Sequence, residues 1–136
     1  MNKVNVQIRF NDIDIAGHVN NAVHLYYYDY GRVQYCNKVF NNDTNWKEKG
    51  LAIVHIEIDY LSPIYLNDDI SVITKIVKIG NKSLKMKQHI ENNKTGIIHS
   101  KCDTVLVGFN YITQESFELP ENWKELILKE ENLLNI

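Results

Sequence analysis

Residues 9–32, RFNDIDIAGHVNNAVHLYYYDYGR, constrain the fold more than any other stretch of the chain. Carboxylates, a glycine, a histidine and two asparagines crowd into its first half without periodicity, and a tyrosine-rich pattern with helical spacing follows directly. Active sites are commonly built where a polar, non-periodic run joins a strand to a helix. The remainder of the chain is therefore expected to fold around this loop and the helix after it.

The helix is predicted to run from Ala22 to about Phe40. Apolar residues spaced three and four positions apart are typical of an amphipathic helix, here of about five turns. The residues that carry this spacing are Val23, Tyr26, Tyr30 and Val33. Asn20 and Asn21 precede the helix and are candidate caps. Gly31 is costly inside a helix, and we expect it to let another backbone come close.

Alternation of apolar and polar residues predicts strands on both sides of this helix. The first covers residues 3–10; after a loop at 41–45, four more follow Gly50, with turn signals at 63, 67–69, 80–81 and 92–96. Short turns between these four strands predict an antiparallel meander. A shorter helix is predicted after Pro120, with an apolar stripe that extends to Leu133.

A strand, one long helix and four antiparallel strands form an α+β order in which a curved sheet must cover the only substantial helix. The 136 residues are enough for one domain and too few for two, so residues 1–136 are predicted to form a single domain. Five strands around one helix leave two sheet edges exposed. Dimerisation through an edge strand is the simplest way to cover one.

Charge and composition exclude several classes of partner. The net charge is -2, from 15 Lys+Arg and 17 Asp+Glu, so no global field attracts nucleic acid or an anionic membrane. No apolar run approaches the roughly 20 residues of a membrane span, and the start MNKVNVQIRF lacks the apolar centre of a secretory signal. Cys36 and Cys102 form no metal-binding or disulfide pattern. A cytoplasmic protein is expected.

With this order of elements, the stretch at 9–32 makes the chain resemble the hot-dog fold acyl-CoA thioesterases of the 4-hydroxybenzoyl-CoA thioesterase-like family. The pattern that carries the resemblance is R-x-x-D-x-D-x-x-G-H-V-N-N, followed by an aromatic helix with Asp29 three positions before Arg32. The resemblance implies a hot-dog fold: a five-stranded antiparallel sheet wrapped around one long helix, with a short C-terminal helix. It also implies a homodimer or homotetramer that hydrolyses an acyl-CoA to free acid and CoA, without a cofactor besides the CoA of the substrate.

The same resemblance places the catalytic carboxylate at Asp14 and the oxyanion donor at the amide of Asn21. Thioester hydrolysis needs a base or nucleophile beside the carbonyl and a donor for the oxyanion of the transition state. The positive end of the helix favours the ionised form of Asp14. That carboxylate can either deprotonate water or attack the carbonyl to give a mixed anhydride, and both routes remain open. Asp12 is interpreted as a turn or salt-bridge residue.

His18 is a third catalytic candidate, which either orients water or the substrate carbonyl or fills the turn with a hydrogen bond. Asp29 either assists catalysis or pairs with Arg32, and the ion pair is favoured. A basic patch is formed by Lys82, Lys85 and Lys87. It is the best local site for the phosphates of CoA, although such a patch is ordinarily the solvated face of a strand. The expected substrate-binding residues are Gly17, Val19, Asn20, Tyr26, Tyr27, Asp29, Lys82 and Lys85.

Other chemistries fit the sequence poorly. A calcium loop that begins at Asp12 would need an oxygen ligand in place of Ala16 and a glutamate in place of Val23. Zinc on Asp14 and His18 would lack further ligands, so no metal is expected. Cys36 has no neighbouring base, and no G-x-S-x-G motif is present.

Two alternatives remain beside an acyl-CoA thioesterase. One is a thioesterase for acyl groups on acyl carrier protein, in which a protein docking surface replaces the nucleotide patch. The other is a module that binds acyl-CoA without catalysis, which the presence of Asp14 disfavours.

Overall fold

The computed structural model describes residues 1–40 and 45–132. Positions 41–44 of the predicted loop and Leu133 of the predicted C-terminal stripe lie outside these ranges. The elements are β1 (Asn2–Val6), a 3₁₀ turn (Phe10–Asp12), α1 (Val23–Phe40), β2 (Gly50–Tyr60), β3 (Ile70–Ile79), β4 (Ser83–Asn92), β5 (Ile98–Asn110), β6 (Glu115–Ser116) and α2 (Glu121–Glu131). In this part of the chain, neither helix combines the length and apolarity that crossing a membrane requires.

The first strand is shorter than predicted, because β1 ends at Val6 and Phe10 lies in the 3₁₀ turn with 83% of its surface exposed. The side chain of Asp12 explains the early end. Its Oδ2 accepts the backbone N–H of Arg9 at 2.9 Å, which closes the turn locally. Short acidic side chains commonly compete in this way with a strand for backbone hydrogen bonds.

All the strands form one antiparallel sheet in the order β1-β3-β4-β5-β2, with the two-residue β6 beside β5. The predicted meander is correct for β3, β4 and β5 but wrong for β2, which pairs with β5 instead of β3. The connection at 61–69 is long enough to carry the chain from one edge of the sheet to the other. Its buried Ile64 accepts the N–H of Val19 at 2.8 Å, so the connection passes beside the loop ahead of α1.

The sheet encloses α1, as predicted, and two apolar clusters fill the space between them. The cluster at the start of the helix contains Tyr28 with Val19, Ile64 and residues of β3 to β5. The cluster at the end of the helix contains Tyr35 and Phe40, against which α2 packs Trp123 and Ile127. The first cluster lies directly under the loop at 10–22, so that loop rests on a rigid base.

The buried face of α1 differs from the predicted one. Tyr26, Tyr30 and Val33 are 71%, 48% and 54% exposed, whereas the core-facing residues include His24 and Arg32. Polar contacts make this arrangement possible, because buried polar groups are tolerated when they are hydrogen-bonded. The Arg32 guanidinium donates to Gln88 Oε1 at 3.0 Å and to Thr104 Oγ1 at 3.4 Å. Arg32 also forms the predicted ion pair with Asp29.

Candidate active site at the start of the long helix

The loop that carries Asp14 is a tight turn closed by backbone hydrogen bonds. Ile13 and Val19 form an isolated antiparallel bridge, the Asp14 N–H donates to the His18 carbonyl at 3.0 Å, and the Gly17 N–H donates to the Asp14 carbonyl at 3.0 Å. Gly17 has φ +87°, a conformation that side chains disfavour and glycine adopts freely. The turn therefore fixes the backbone of Asp14 and explains the glycine in the motif.

The Asp14 carboxylate is held by two donors and remains partly exposed. Its Oδ1 accepts the Ala16 N–H at 2.9 Å, and its Oδ2 accepts the Asn20 side-chain amide at 3.3 Å. Each oxygen of an ionised carboxylate has two lone pairs. Each can therefore accept a further hydrogen bond from water, as a general base must, and the orientation of the group is set in advance.

Asn20 also caps the helix, as predicted. Its Oδ1 accepts the Ala22 N–H at 2.8 Å and its carbonyl accepts the Val23 N–H at 2.8 Å. The N–H of Asn21 has no acceptor among the residues that the structure describes. The Tyr60 hydroxyl donates to the Asn21 carbonyl at 2.7 Å and so steadies this peptide. A free N–H at the positive end of a helix is suited to bind developing negative charge.

A cavity of about 240 Å³ opens at the start of the helix, with Asn21 in its lining. The residues that line it are His18, Val19, Asn21, His24, Tyr60, Leu61, Ser62 and Pro63. His18 Nδ1 lies 3.1 Å from the Val19 carbonyl, and a carbonyl can only accept, so Nδ1 carries a hydrogen. Asp14 is not part of the lining of this cavity, but its N–H is bonded to His18 and its side chain to Asn20. Asp14 thus adjoins the cavity through the loop.

A larger groove of about 590 Å³ lies on the other side of the helix start. It is lined by Tyr26, Tyr27 and Tyr30 from α1 and by Arg9 and Asp12. The buried Tyr27 donates its hydroxyl to Asp12 Oδ2 at 2.6 Å. Burial and this neighbouring carboxylate raise the pKa of Tyr27 above its ordinary value. Asp12 therefore ties the turn to the helix, while two exposed tyrosine rings face the groove.

The lysines proposed for the CoA phosphates lie elsewhere. Lys85 and Lys87 both approach Asp103 on the outer side of the sheet, at 3.8 Å and 3.5 Å, and Lys82 donates to Ser116 at 3.4 Å. Leu84, between them, packs in the cluster at the end of α1. Within one chain, these lysines are consequently placed toward the opposite end of the helix from Asp14.

The sequence did not indicate a buried polar chain that reaches the cavity. His24 Nδ1 lies 2.9 Å from Ser100 Oγ, and the Tyr28 hydroxyl lies 2.6 Å from the same oxygen. Burial, followed by the nearby His99 and His18, lowers the pKa of His24 to about 4. His24 and Ser100 are 76 positions apart, so no local pattern could have joined them. The one available signal was a histidine within a tyrosine-rich helix.

A metal site is absent from residues 1–40 and 45–132, in the sense that no group of three or more His, Cys, Asp or Glu side chains is arranged to hold an ion.

Comparisons with known proteins identify the family and the fold of the chain. The model of the thioesterase-like superfamily matches residues 8–127. A thioesterase of Thermus thermophilus, solved as a complex with coenzyme A and Zn, is 35% identical, covers 96% of this chain and 93% of its own, and superimposes with a TM-score of 0.84. A structure from Bacillus stearothermophilus described as a predicted thioesterase is 25% identical over 98% of this chain and 97% of its own, with a TM-score of 0.83.

The uncharacterized protein YsmA of Bacillus subtilis (strain 168) is 29% identical over 111 residues, which are 82% of this chain and 72% of that protein. The two thioesterase structures confirm the predicted hot-dog architecture along nearly the whole chain. The sequence match of the superfamily includes the loop, α1 and all the long strands after it.

Proposed function

This chain belongs to the thioesterase-like superfamily and is a thioester hydrolase, and we propose that it hydrolyses an acyl-CoA to a carboxylic acid and CoA. The observation that carries the proposal is the free N–H of Asn21 at the start of α1, beside the loop that holds the Asp14 carboxylate. These are the two groups that thioester hydrolysis requires, an oxyanion donor and a base or nucleophile.

In this proposal the thioester carbonyl enters the cavity beside Asn21, and its oxygen accepts the Asn21 N–H. Asp14 either removes a proton from the attacking water or attacks the carbonyl carbon itself. When Asp14 acts as the base, the water oxygen forms the C–O bond, the C–S bond breaks, and the CoA thiolate takes up the proton that Asp14 removed. When Asp14 attacks, the C–S bond breaks to leave a mixed anhydride and the thiolate; water then cleaves the anhydride, which releases the carboxylic acid, restores Asp14 and supplies the proton of the thiol. The helix terminus stabilises the negative charge on oxygen at the stage where it is largest.

CoA is proposed as the carrier of the acyl group because the Thermus thermophilus relative is complexed with coenzyme A. That complex also contains Zn, but the described residues of this chain offer no set of ligands for it. The proposed reaction therefore has no step through a metal. The exposed rings of Tyr26 and Tyr30 in the groove at the helix start are proposed to contact the substrate.

The proposed functional unit is a homodimer joined through β2. This strand lies at the edge of the sheet, and its Ile53, Val54 and Ile56 are exposed. Ile53 and the exposed Val33 of α1 border one apolar cavity of about 560 Å³. A long edge strand with exposed apolar residues presents unpaired backbone groups that favour pairing with another chain. A second copy, paired edge to edge, covers the strand and the cavity together.

Light scattering tests the dimer. The native chain should have the mass of two protomers, and Val33→Lys should shift it toward one, because the ammonium would be desolvated at the interface. Ile97→Lys replaces an exposed apolar residue on the β4–β5 turn and serves as the control, with no change expected. A monomeric native protein would contradict the dimer.

The decisive test of the reaction is release of free thiol from a panel of acyl-CoAs. Asp14→Asn should lower kcat by on the order of 10²–10⁴-fold, the usual contribution of a base or nucleophile. The matched control is Asp12→Asn, which alters the neighbouring acid that holds the turn and should retain activity within a few-fold. Near-native turnover by Asp14→Asn would remove Asp14 from the mechanism.

The same panel separates the alternatives when it also includes acyl carrier protein thioesters. Faster turnover of the carrier protein thioesters would replace CoA as the proposed carrier. Binding of acyl-CoA with no turnover by the native protein would contradict the catalytic proposal altogether.

A further inference from the structure

The buried chain Tyr28–Ser100–His24 determines which nitrogen of His24 carries its hydrogen. All three side chains are almost completely buried. Ser100 Oγ is the only acceptor within reach of the Tyr28 hydroxyl among the described residues, at 2.6 Å. A buried O–H without an acceptor is more costly than an unused lone pair. Tyr28 therefore donates to Ser100.

The direction of the next hydrogen bond follows. Ser100 receives the hydrogen of Tyr28 and has one hydrogen of its own. Among the described residues, its hydroxyl has no acceptor besides His24 Nδ1 at 2.9 Å, so Ser100 donates to that nitrogen. A neutral imidazole that accepts at Nδ1 carries its hydrogen on Nε2. The fold thus selects the Nε2–H tautomer of His24.

That Nε2–H is directed at the cavity. Nε2 lies on the ring edge away from the bond to Ser100, and His24 is one of the residues that line the cavity beside Asn21. Among the described residues, His24 Nε2 has no protein acceptor. It is also not fully enclosed, because Nε2 of His99 is the only fully enclosed polar side-chain atom that lacks a partner in that part of the chain. The Nε2–H of His24 is consequently a free donor in the same cavity as the Asn21 N–H.

We propose that His24 is a second oxyanion donor, a neutral imidazole whose Nε2–H binds the thioester oxygen together with the amide of Asn21. This inference rests on the proposed thioesterase function and adds a catalytic residue to it. Tyr28 and Ser100 are positioning residues that hold the tautomer. No proton leaves His24 in this role, so its low basicity is an advantage, as burial and the neighbouring His99 and His18 keep its pKa near 4.

The tautomer is measurable in the resting protein by ¹⁵N NMR of the imidazole rings. We expect His24 to show a bare Nδ1 and a protonated Nε2 at neutral pH, and Ser100→Ala to give a mixture of tautomers. A hydrogen on Nδ1 of the native protein would overturn the proposal. Because this measurement needs no substrate, its failure is independent of whether the protein hydrolyses acyl-CoA.

Kinetics with two amide variants provide the second test. The side-chain nitrogen of His24→Gln reaches about as far as Nε2, whereas that of His24→Asn reaches only as far as Nδ1. Loss of one oxyanion donor should lower kcat of His24→Asn by on the order of 10²-fold with KM almost unchanged, and His24→Gln should recover a large part of it.

A purely structural role for His24 would instead give equal kcat for the two variants. Any decrease in kcat would then parallel the decrease in their thermal stability. That outcome, like a change confined to KM, would contradict the assignment. If the tautomer is as expected but native protein does not release thiol from any acyl-CoA, the proposed function fails. The donor assignment then fails with it, although the geometry of His24 would stand.

Discussion

Single residues of the site divide into those that a linear motif identifies and those that only the fold assembles. Asp14, Gly17 and Asn20 belong to one turn, so their spacing in sequence is also their arrangement in space. The hydrogen bond between His24 and Ser100 joins α1 to β5, and no spacing in the sequence predicts it. Burial of His24 has a cost that can be measured, because a neutral buried histidine resists protonation.

The pH dependence of folding stability follows from this cost. The pKa of His24 is about 4 in the folded protein and 6.5 in the unfolded reference, so between these values the unfolded state binds more protons. The free energy of unfolding should therefore fall as the pH is lowered from about 6.5 to about 4, by about 3 kcal/mol in all. Above this window the contribution of His24 is constant. The titratable side chains that surround His24 in the folded protein are His18, His99, Tyr27 and Tyr60.

Urea unfolding at a series of pH values tests this dependence. His24→Gln should flatten the acid side of the stability profile, whatever its stability at neutral pH. His89→Gln is the control, since the partly exposed side chain of His89 lies on β4, outside the proposed dimer interface. An unchanged profile in His24→Gln would show that other groups cause the acid sensitivity.

At the level of elements, periodicity located α1 to within one residue but assigned its buried face incorrectly. The apolar side of a helix predicts its buried face only if no polar residue of that helix finds hydrogen-bond partners in the core. Here Arg32 is satisfied by Gln88, Thr104 and Asp29, and His24 by Ser100, so a polar face enters the sheet. These partners lie on distant strands, which is why the sequence did not predict the arrangement. The proposed dimer gives the exposed Val33 a partner, whereas Tyr26 and Tyr30 are proposed to contact the substrate.

Gly31 lies in close contact with the sheet, but the prediction that another backbone approaches it is wrong, because the nearest atoms belong to side chains. A Cβ at this position would lie 2.6 Å from Cγ1 of Val72 and 3.0 Å from Nε2 of Gln88. Gly31→Ala should therefore lose about 1 kcal/mol net, because overpacking costs ~1–3 kcal/mol and the better helix propensity returns ~1 kcal/mol.

A double-mutant cycle checks this origin of the cost. In a Val72→Ala background the added methyl has room, so the penalty of Gly31→Ala should shrink or change sign when measured by thermal or urea unfolding. The same penalty in both backgrounds would show that the close contact with Val72 is not responsible.

At the scale of the whole molecule, the order of elements and the wrapping of the sheet around α1 were predictable, because one helix must be covered by the strands available. The position of β2 was not, since the connection at 61–69 is long enough to reach either edge of the sheet, and the hydrogen bond between Val19 and Ile64 that accompanies the observed path has no local sequence signal. This placement makes β2 the edge strand and brings Tyr60 to the peptide of Asn21. The site therefore depends on the global topology as well as on the motif.

The fold also buries ionisable tyrosines along the length of α1. Burial raises the pKa of Tyr27, Tyr28 and Tyr35 well above the ordinary value, assisted at Tyr27 by Asp12 and at Tyr35 by Glu131, which accepts its hydroxyl at 2.8 Å. In the unfolded chain these tyrosines ionise near pH 10. Above about pH 10 the unfolded state therefore holds fewer protons than the folded state, and stability must fall as the pH rises.

Each such tyrosine contributes a slope of about 1.4 kcal/mol per pH unit above about pH 10, so the three together give about 4 kcal/mol per pH unit. We expect cooperative alkaline unfolding, in which tyrosinate absorbance from the buried rings rises together with the loss of circular dichroism. Tyr27→Phe should reduce the slope by about one third, whereas Tyr65→Phe, at an exposed position, should not alter it. Full tyrosinate absorbance in a protein that keeps its secondary structure would mean that solvent reaches these rings in the folded state, which contradicts a sheet closed around α1.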